Sequence, residues 1–161
     1  MPAPGRHVRA SLAVAAACAA MLQACAAPPP PPPPPPTIAK LTLSTSADAN
    51  ATAAGQGAPT VVRVYQLTST AGFEKAEFFR LLNADSATLG QDLVKRDEYL
   101  LAPGTTKEET LAIPDRVKAL GVFAAYRQFG SRTWRVTVPL PANKTTPVTV
   151  TVSASGVVVK P

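Results

Sequence analysis

Cysteine and histidine are nearly absent from this sequence. Its 161 residues include two cysteines, Cys18 and Cys25, and one histidine, His7, all within the first 25 positions. These side chains are the usual zinc ligands, and histidine is the commonest general base. Their absence from residue 26 onward excludes disulfides, thiol chemistry and most histidine-dependent hydrolase and metalloenzyme mechanisms there. We therefore expect no metal, no cofactor and no small-molecule substrate.

Charged residues are also sparse and carry no strong bias. The chain has 16 basic and 10 acidic residues, a net charge of +6 at pH 7. Beyond Arg6 and Arg9 the basic residues are scattered along the chain. Because nucleic-acid binding requires basic residues clustered on one surface, this distribution argues against a nucleic-acid partner.

The first 24 residues have the pattern of a signal peptide. Arg6 and Arg9 supply the positive charge, and Ala10–Leu22 supply an apolar region too short to span a bilayer, which takes about 20 residues. Such segments are removed from the mature protein, so we expect residues 1–24 to take no part in its fold. The rest of the chain is long enough for one domain with its own core.

Leu22-Gln23-Ala24-Cys25 resembles the lipobox that lipoprotein signal peptidase recognises. The resemblance predicts cleavage between Ala24 and Cys25 and a covalent lipid on the Cys25 sulfur. Several acyl chains hold a protein at a membrane stably, whereas one chain binds reversibly. Two alternatives are an ordinary secretory signal with an incidental cysteine and cleavage before Cys18.

Nine consecutive prolines, Pro28–Pro36, follow the predicted lipid site. Such a run favours polyproline II and reaches about 28 Å at roughly 3.1 Å per residue. We interpret residues 25–37 as a lipidated cysteine with a stiff spacer that holds a periplasmic domain, residues 38–161, away from the membrane. A proline-rich ligand for an aromatic groove is the alternative.

The domain begins with two strand patterns separated by a long polar segment. Ile38–Thr45 alternates apolar and polar residues, and Thr60–Leu67 is rich in β-branched residues. We expect these two strands to pair with each other. The connecting segment, Ser46–Pro59, contains no large apolar residue, and segments of this length are usually functional or disordered.

Helical spacing appears at Phe73–Leu82, with Asn83 as a plausible end. Gly90–Leu101 and Lys107–Ile113 flank the turn signal Pro103-Gly104 and predict a hairpin. A helical turn is possible at 115–120. The remaining strand patterns are Gly121–Arg127, Trp134–Val138, Val148–Val152 and Val157–Val159. Seven or eight short strands predict a mainly β protein, a two-sheet β-sandwich.

Four carboxylates lie near the predicted hairpin, at Asp97, Glu98, Glu108 and Glu109. A glycosidase requires a pair of carboxylates. No aromatic sugar platform accompanies these residues, so solvated strand faces are the preferred interpretation and an envelope hydrolase is the weaker alternative.

The order of these segments, together with the lipobox, resembles the outer-membrane lipoprotein of the type VI secretion system, the TssJ family. The resemblance covers almost the whole domain and rests on these segments: Val61–Leu67, Phe73–Leu82 with Ala76–Phe79 at its centre, Leu89–Leu93, Pro103-Gly104, Leu120–Val122, Ala125–Arg127 and Trp134-Arg135. It implies a transthyretin-like sandwich with one short helical addition and no catalytic activity.

The resemblance also implies a partner and a location. Family members sit on the periplasmic face of the outer membrane and bind the periplasmic domain of the large inner-membrane protein TssM, which with TssL completes the trans-envelope complex. Ala26 follows the predicted lipid site in place of the aspartate that retains many lipoproteins in the inner membrane, which favours the outer membrane. A lipoprotein pilotin or periplasmic assembly chaperone, binding through a strand edge, is the alternative.

In the family, binding is attributed largely to the loop between the first two strands, here Ser46–Pro59. Asn50, Gly55 and Pro59 match residues common in that loop. The predicted partner-binding residues are Asp48, Asn50, Thr52, Gly55, Gln56 and Pro59.

This loop also departs from the family pattern. Ala51, Thr52, Gln56 and Gly57 stand where proline, aspartate, arginine and proline are expected. We therefore expect a less constrained loop and a weaker or more adaptable interface, with Gly57→Pro as a test, since docking a flexible loop loses more conformational entropy.

Overall fold

Eight β-strands arranged in two four-stranded sheets form the framework of the computed structural model, which describes residues 30–160. The predicted signal peptide, its cleavage site at Ala24 and the lipid site Cys25 lie outside the described residues. Pro34–Pro161 forms one compact unit.

The first sheet contains both the first and the last strand of the domain. Its strands are ordered β4, β1, β7, β8, and the β1–β7 pair is parallel while the other pairs are antiparallel. Their bounds are β1 Thr37–Thr45, β4 Thr106–Ile113, β7 Thr145–Val152 and β8 Val157–Lys160. Because β1 has a partner on both sides, it is a central strand.

The second sheet is antiparallel throughout and is ordered β3, β2, β5, β6. Its strands are β2 Thr60–Leu67, β3 Leu93–Leu101, β5 Ala119–Ala124 and β6 Arg135–Pro139. β5 is buried along its whole length, as expected of a strand covered on both faces.

The core lies between the sheets and follows the alternation of the sequence. Leu41 and Leu43 of β1 face Val62 and Val64 of β2, and all four side chains are at most 1% exposed. Each strand thus places one apolar row inside, which is the pattern of a sandwich. The predicted two-sheet β-sandwich is confirmed.

Two helices cover the outer face of the second sheet, where a single helix over Phe73–Leu82 was predicted. They are α1, Ala71–Lys75, and α2, Phe78–Leu89. Between them Ala76 and Glu77 are extended, and the Arg135 guanidinium donates to the carbonyl oxygens of Phe73 and Ala76. These contacts satisfy carbonyls that α1 leaves free at its end, so α1 can stop there.

Two predicted strand pairings are wrong. β1 and β2 lie in different sheets, and so do β3 and β4, which were expected to form a hairpin. The residues after β3 cross between the sheets, and Thr45 fixes that crossing: its hydroxyl donates to Ala102 O at 2.5 Å and accepts from Thr105 N at 3.1 Å.

The segment before β5 is a turn rather than a helical turn. Val117 N donates to Pro114 O at 2.9 Å, which closes the turn. Lys118 N donates to Leu67 O at 2.8 Å, so the chain already pairs with β2 at that residue. β5 therefore begins at Ala119 and ends at Ala124, earlier than the predicted 121–127.

Candidate functional site: the loop end of the sandwich

Four connections meet at the end of the sandwich where β1 finishes and β2 begins. Residues 46–59 lie beside 102–105, since Gly104 N donates to Ser46 O at 3.3 Å, and beside the β7–β8 turn, since Ser46 N donates to Val152 O at 2.9 Å. They also contact the segment after β5 through Asn50, whose Oδ1 accepts from Arg127 N at 2.9 Å. We call this region the loop end.

The base of the 46–59 loop is buried and hydrogen-bonded. Ala49 and Ala58 pair through Ala58 N to Ala49 O at 2.9 Å, and both side chains are buried. Asn50 has a left-handed φ of 50°, a conformation that asparagine tolerates better than most residues. Its Nδ2 donates to Pro59 O at 3.1 Å while its Oδ1 accepts from Arg127 N, so one side chain ties both ends of the loop to the next connection.

The tip of the loop, residues 52–56, is a small closed turn. Thr52 N donates to Gln56 O at 2.8 Å, and Gly55 N donates to Thr52 O at 2.9 Å. Gly55 has a φ of 77°, which favours glycine. Ala53, Ala54 and Gln56 are exposed. The tip therefore presents mostly small side chains on a supported base.

The six predicted partner-binding residues share this loop but have different positions. Asp48, Gly55, Gln56 and Pro59 are exposed and Thr52 is half-buried, whereas Asn50 is 7% exposed. Asp48 also accepts a hydrogen bond from the Ser46 hydroxyl. Asn50 thus supports the loop from within, and the other five residues lie where another molecule could contact them.

Gly57 cannot take the proline that was suggested for it. A Cβ at this position would lie 2.1 Å from Ala47 O and 3.1 Å from Pro103 Cβ. The closest conflict is with backbone, which cannot rotate away as a side chain can. The glycine is required because the two ends of the 46–59 loop approach each other here, beside Pro103 of the β3–β4 connection.

Sequence reasoning from single segments missed Arg127 and Pro103 as neighbours of the loop. Arg127 is 77 positions from Asn50 along the chain, and no local pattern links them. Only the family resemblance, which includes Ala125–Arg127 and Pro103-Gly104, could have indicated that these segments belong to the same region.

The four carboxylates of the hydrolase alternative do not form a facing pair. Asp97 and Glu98 lie on β3, while Glu108 and Glu109 lie on β4 in the other sheet. Three of them are in ion pairs: Asp97 with Lys95 at 2.9 Å, Glu98 with Arg63 at 2.7 Å and Glu109 with Lys107 at 2.9 Å. Within residues 30–160, no cluster of histidine, cysteine and acidic side chains has the composition to hold a metal ion.

A buried charge cluster fixes α2 on the second sheet. Asp85 is 5% exposed and accepts from Arg96 at 2.8 Å and from the Tyr65 hydroxyl at 3.1 Å. Burial alone would raise the pKa of Asp85, but hydrogen bonds from Arg96, the Ser86 amide and Tyr65 outweigh it and hold this pKa below its usual value. Arg63 adds bonds to Leu81 O and Leu82 O at 2.9 and 2.8 Å.

Comparison with known proteins agrees with this architecture. Residues 37–155 match the family model described as type VI secretion lipoprotein, VasD, EvfM, TssJ. No curated protein sequence matched significantly. No helix in the described part of the chain is both long and apolar enough to cross a membrane.

Solved structures extend the similarity to the whole fold. The T6SS lipoprotein TssJ1 of Pseudomonas aeruginosa is 34% identical, with a TM-score of 0.76 over 78% of this chain and 96% of that one. Lip of Serratia marcescens, described as a membrane-bound component of the type VI secretion system, is 29% identical, with a TM-score of 0.73 over 78% and 97% of the two chains. The family model covers β1 to β7 together with both helices and the 46–59 loop, and this chain belongs to the type VI secretion lipoprotein family, TssJ.

Proposed function

We propose that this protein is the lipid-anchored outer-membrane component of a type VI secretion complex and binds the periplasmic domain of a TssM-type inner-membrane protein through the loop end. Its role is structural, without a catalytic step. The observation that carries the proposal is the 46–59 loop, whose base is fixed by Asn50 and whose tip is exposed.

One of the structural comparisons supports the choice of partner. A chain 25% identical to this one, with a TM-score of 0.63, belongs to a structure described as the C-terminal domain of the T6SS protein TssM from EAEC, and 78% of this chain and 98% of that chain align. Another, 27% identical, belongs to a structure described as a type VI membrane complex. Chains of this fold thus occur in structures of that machinery.

The chain enters the sandwich and begins the 46–59 loop at opposite ends of β1. The chain enters at Thr37, whose hydroxyl accepts from Asn143 N at 2.7 Å, while the loop starts at Ser46. Nine residues of strand span about 30 Å. The loop end is therefore at the far end of β1 from the point where the chain enters the sandwich, which is the position that the proposal requires of a partner-binding surface.

The experiment compares two identical substitutions at opposite ends of the sandwich. Ala54→Glu alters the exposed loop tip, and Ala142→Glu alters an exposed position in the β6–β7 connection near Thr37. Tagged full-length chains are recovered from solubilised envelopes, and the co-purified TssM-type protein is quantified. We expect Ala54→Glu to reduce recovery at least ten-fold and Ala142→Glu to leave it unchanged.

Other outcomes would contradict the proposal in distinct ways. Equal recovery with both variants would move the site away from the loop end and favour a strand-edge mode of binding. Failure of the unaltered chain to recover a TssM-type protein would remove the partner. Mass spectrometry of the mature amino terminus tests the anchor separately, and an unmodified Cys25 would contradict it.

A further inference from the structure

The outer face of the second sheet is only partly covered by the helices. Tyr65, Leu67 and Phe123 on this face are fully buried against α1 and α2. Towards the loop end, Val61 of β2 lies beyond the helices and is half-buried. Its neighbour across the ladder is Leu100 of β3, whose side chain is 73% exposed.

Apolar side chains continue from Val61 towards α2. Ala125 N donates to Val61 O at 2.9 Å, which places Ala125, the residue directly after β5, beside Val61 of β2. Ala125 and Phe129 both pack against the cluster beneath α2. The Phe129 ring then meets Phe79 edge-on at 5.1 Å, and Phe79 is 56% exposed.

We call these five residues the apolar strip: Leu100, Val61, Ala125, Phe129 and Phe79. With strands about 4.8 Å apart, the part from Leu100 to Ala125 alone spans about 10 Å. Among residues 30–160 only three large apolar side chains are classed as exposed, and the strip contains two of them. Contiguous apolar surface of this kind marks an interaction site more often than scattered residues do.

The charges around the strip are mainly positive. Arg80 follows Phe79, and Arg127 and Arg132 flank Phe129 in a segment, 125–134, that contains no acidic residue. None of these three arginines forms an ion pair with another described residue. Glu98, two positions before Leu100, is already paired with Arg63 at 2.7 Å. Glu77, two positions before Phe79, is another acidic residue close to the strip.

We propose that the apolar strip is a second contact surface for the partner and takes an amphipathic segment whose apolar side chains are flanked by carboxylates. The identity of the partner rests on the proposed function above. Continuity supports the assignment, since Arg127 N is bound by Asn50 of the 46–59 loop, and the unpaired arginines complement acidic residues.

The position of the strip favours a protein over a lipid surface. It adjoins the loop end, whereas the chain from the anchor enters the sandwich at Thr37, at the opposite end of a strand about 30 Å long. A surface directed at the anchoring membrane would lie near Thr37.

The test measures the affinity of the detergent-solubilised full-length chain for the purified periplasmic domain of the TssM-type protein. Leu100→Asp introduces a charge into the strip. Val158→Asp is the matched control, because Val158 of β8 is 52% exposed on the other sheet. We expect Leu100→Asp to weaken binding at least ten-fold and Val158→Asp less than two-fold. Arg127→Glu with Arg132→Glu should also weaken binding and reduce its dependence on salt.

Equal affinities for Leu100→Asp and Val158→Asp would overturn the proposal. If Leu100→Asp and Val158→Asp bound equally well while Ala54→Glu abolished binding in the same assay, the proposed function would stand and the strip alone would be excluded. No binding by the unaltered chain would overturn both.

A polarity-sensitive fluorophore on Leu100→Cys separates a protein from a lipid contact. In the full-length chain on nanodiscs, we expect a blue shift only after the partner domain is added. A shift caused by anionic nanodiscs without the partner would assign the strip to lipid and overturn the proposal, and so would the absence of any shift.

Discussion

Asn50 shows how a single buried side chain can determine the shape of an exposed loop. Replacing it with alanine removes the bonds to Pro59 O and Arg127 N, at 3.1 and 2.9 Å, and leaves an unfavourable φ of 50°. We expect Asn50→Ala to lower the free energy of unfolding by about 1–3 kcal/mol and to weaken partner binding although Asn50 itself is buried. Urea denaturation and the affinity assay measure the two effects.

Asn50→Gly is the matched control because glycine accepts the left-handed backbone and lacks only the hydrogen bonds. It should recover part of the stability lost in Asn50→Ala. Equal unfolding midpoints for Asn50→Ala and the unaltered protein would show that these bonds do not hold the loop.

Two glycines allow steric and conformational effects to be separated. A Cβ at Gly57 would meet Ala47 O at 2.1 Å, whereas one at Gly130 would meet nothing within 4 Å. We expect Gly57→Ala to destabilise the protein by about 1–3 kcal/mol, as overpacking does, and Gly130→Ala to change its stability by less than about 0.5 kcal/mol. Thermal unfolding of the two variants checks this, and equal melting temperatures would contradict the close approach of Gly57 to Ala47.

At this scale, the sequence predicted a candidate loop but not the structural role of each residue in it. The polar composition of 46–59 and the family resemblance indicated the loop. The supporting role of Asn50 depends on Arg127, and the need for glycine at position 57 depends on Ala47 and Pro103. Contacts between distant segments have no local sequence pattern.

Among the larger elements, α2 depends on the charge cluster beneath it. Because the pKa of Asp85 is lowered in the folded protein, its contribution to stability is present above the unfolded value of about 3.9 and is lost as the pH falls through the lower folded value. Asp85→Asn should therefore lower the free energy of unfolding by about 1–3 kcal/mol at pH 7. The difference in unfolding free energy between this variant and the unaltered protein should shrink below about pH 4. Urea unfolding at pH 7, 5 and 3 measures this trend.

Glu98→Gln provides the comparison, since the Glu98 side chain is 47% exposed in its pair with Arg63. Surface pairs contribute about 0–1 kcal/mol, so a smaller loss than that of Asp85→Asn is expected at pH 7. A constant Asp85→Asn effect from pH 7 to 3 would contradict the assignment.

The positions of the strands were easier to predict than their pairing partners in the sheets. Alternation in β1 and β7 and the β-branched residues of β2 identify those strands directly. Nothing in that alternation states whether the chain after Thr45 or Leu101 turns back within a sheet or crosses to the other, so the pairings of β1 with β2 and of β3 with β4 were predicted wrongly. The break between α1 and α2 depends on Arg135, which lies 59 residues beyond Ala76.

Over the whole molecule, the proposed spacer sets how far the loop end reaches. Removing five of the nine prolines shortens that reach by about 15 Å at roughly 3.1 Å per residue and leaves β1 intact. We expect unchanged thermal stability and a strong loss of secretion. Replacing all nine with a Gly/Ser segment of equal length is the control for stiffness, and normal secretion by the shortened chain would exclude a spacer function.

The path of β1 also has a mechanical consequence. This strand leads directly from the proline run to the 46–59 loop, so tension between a lipid on Cys25 and a partner on the loop would pass along one backbone that is already extended. Such a load would stretch covalent bonds before it separated the sheets. The tether could then resist force without requiring high mechanical strength from the hydrophobic core.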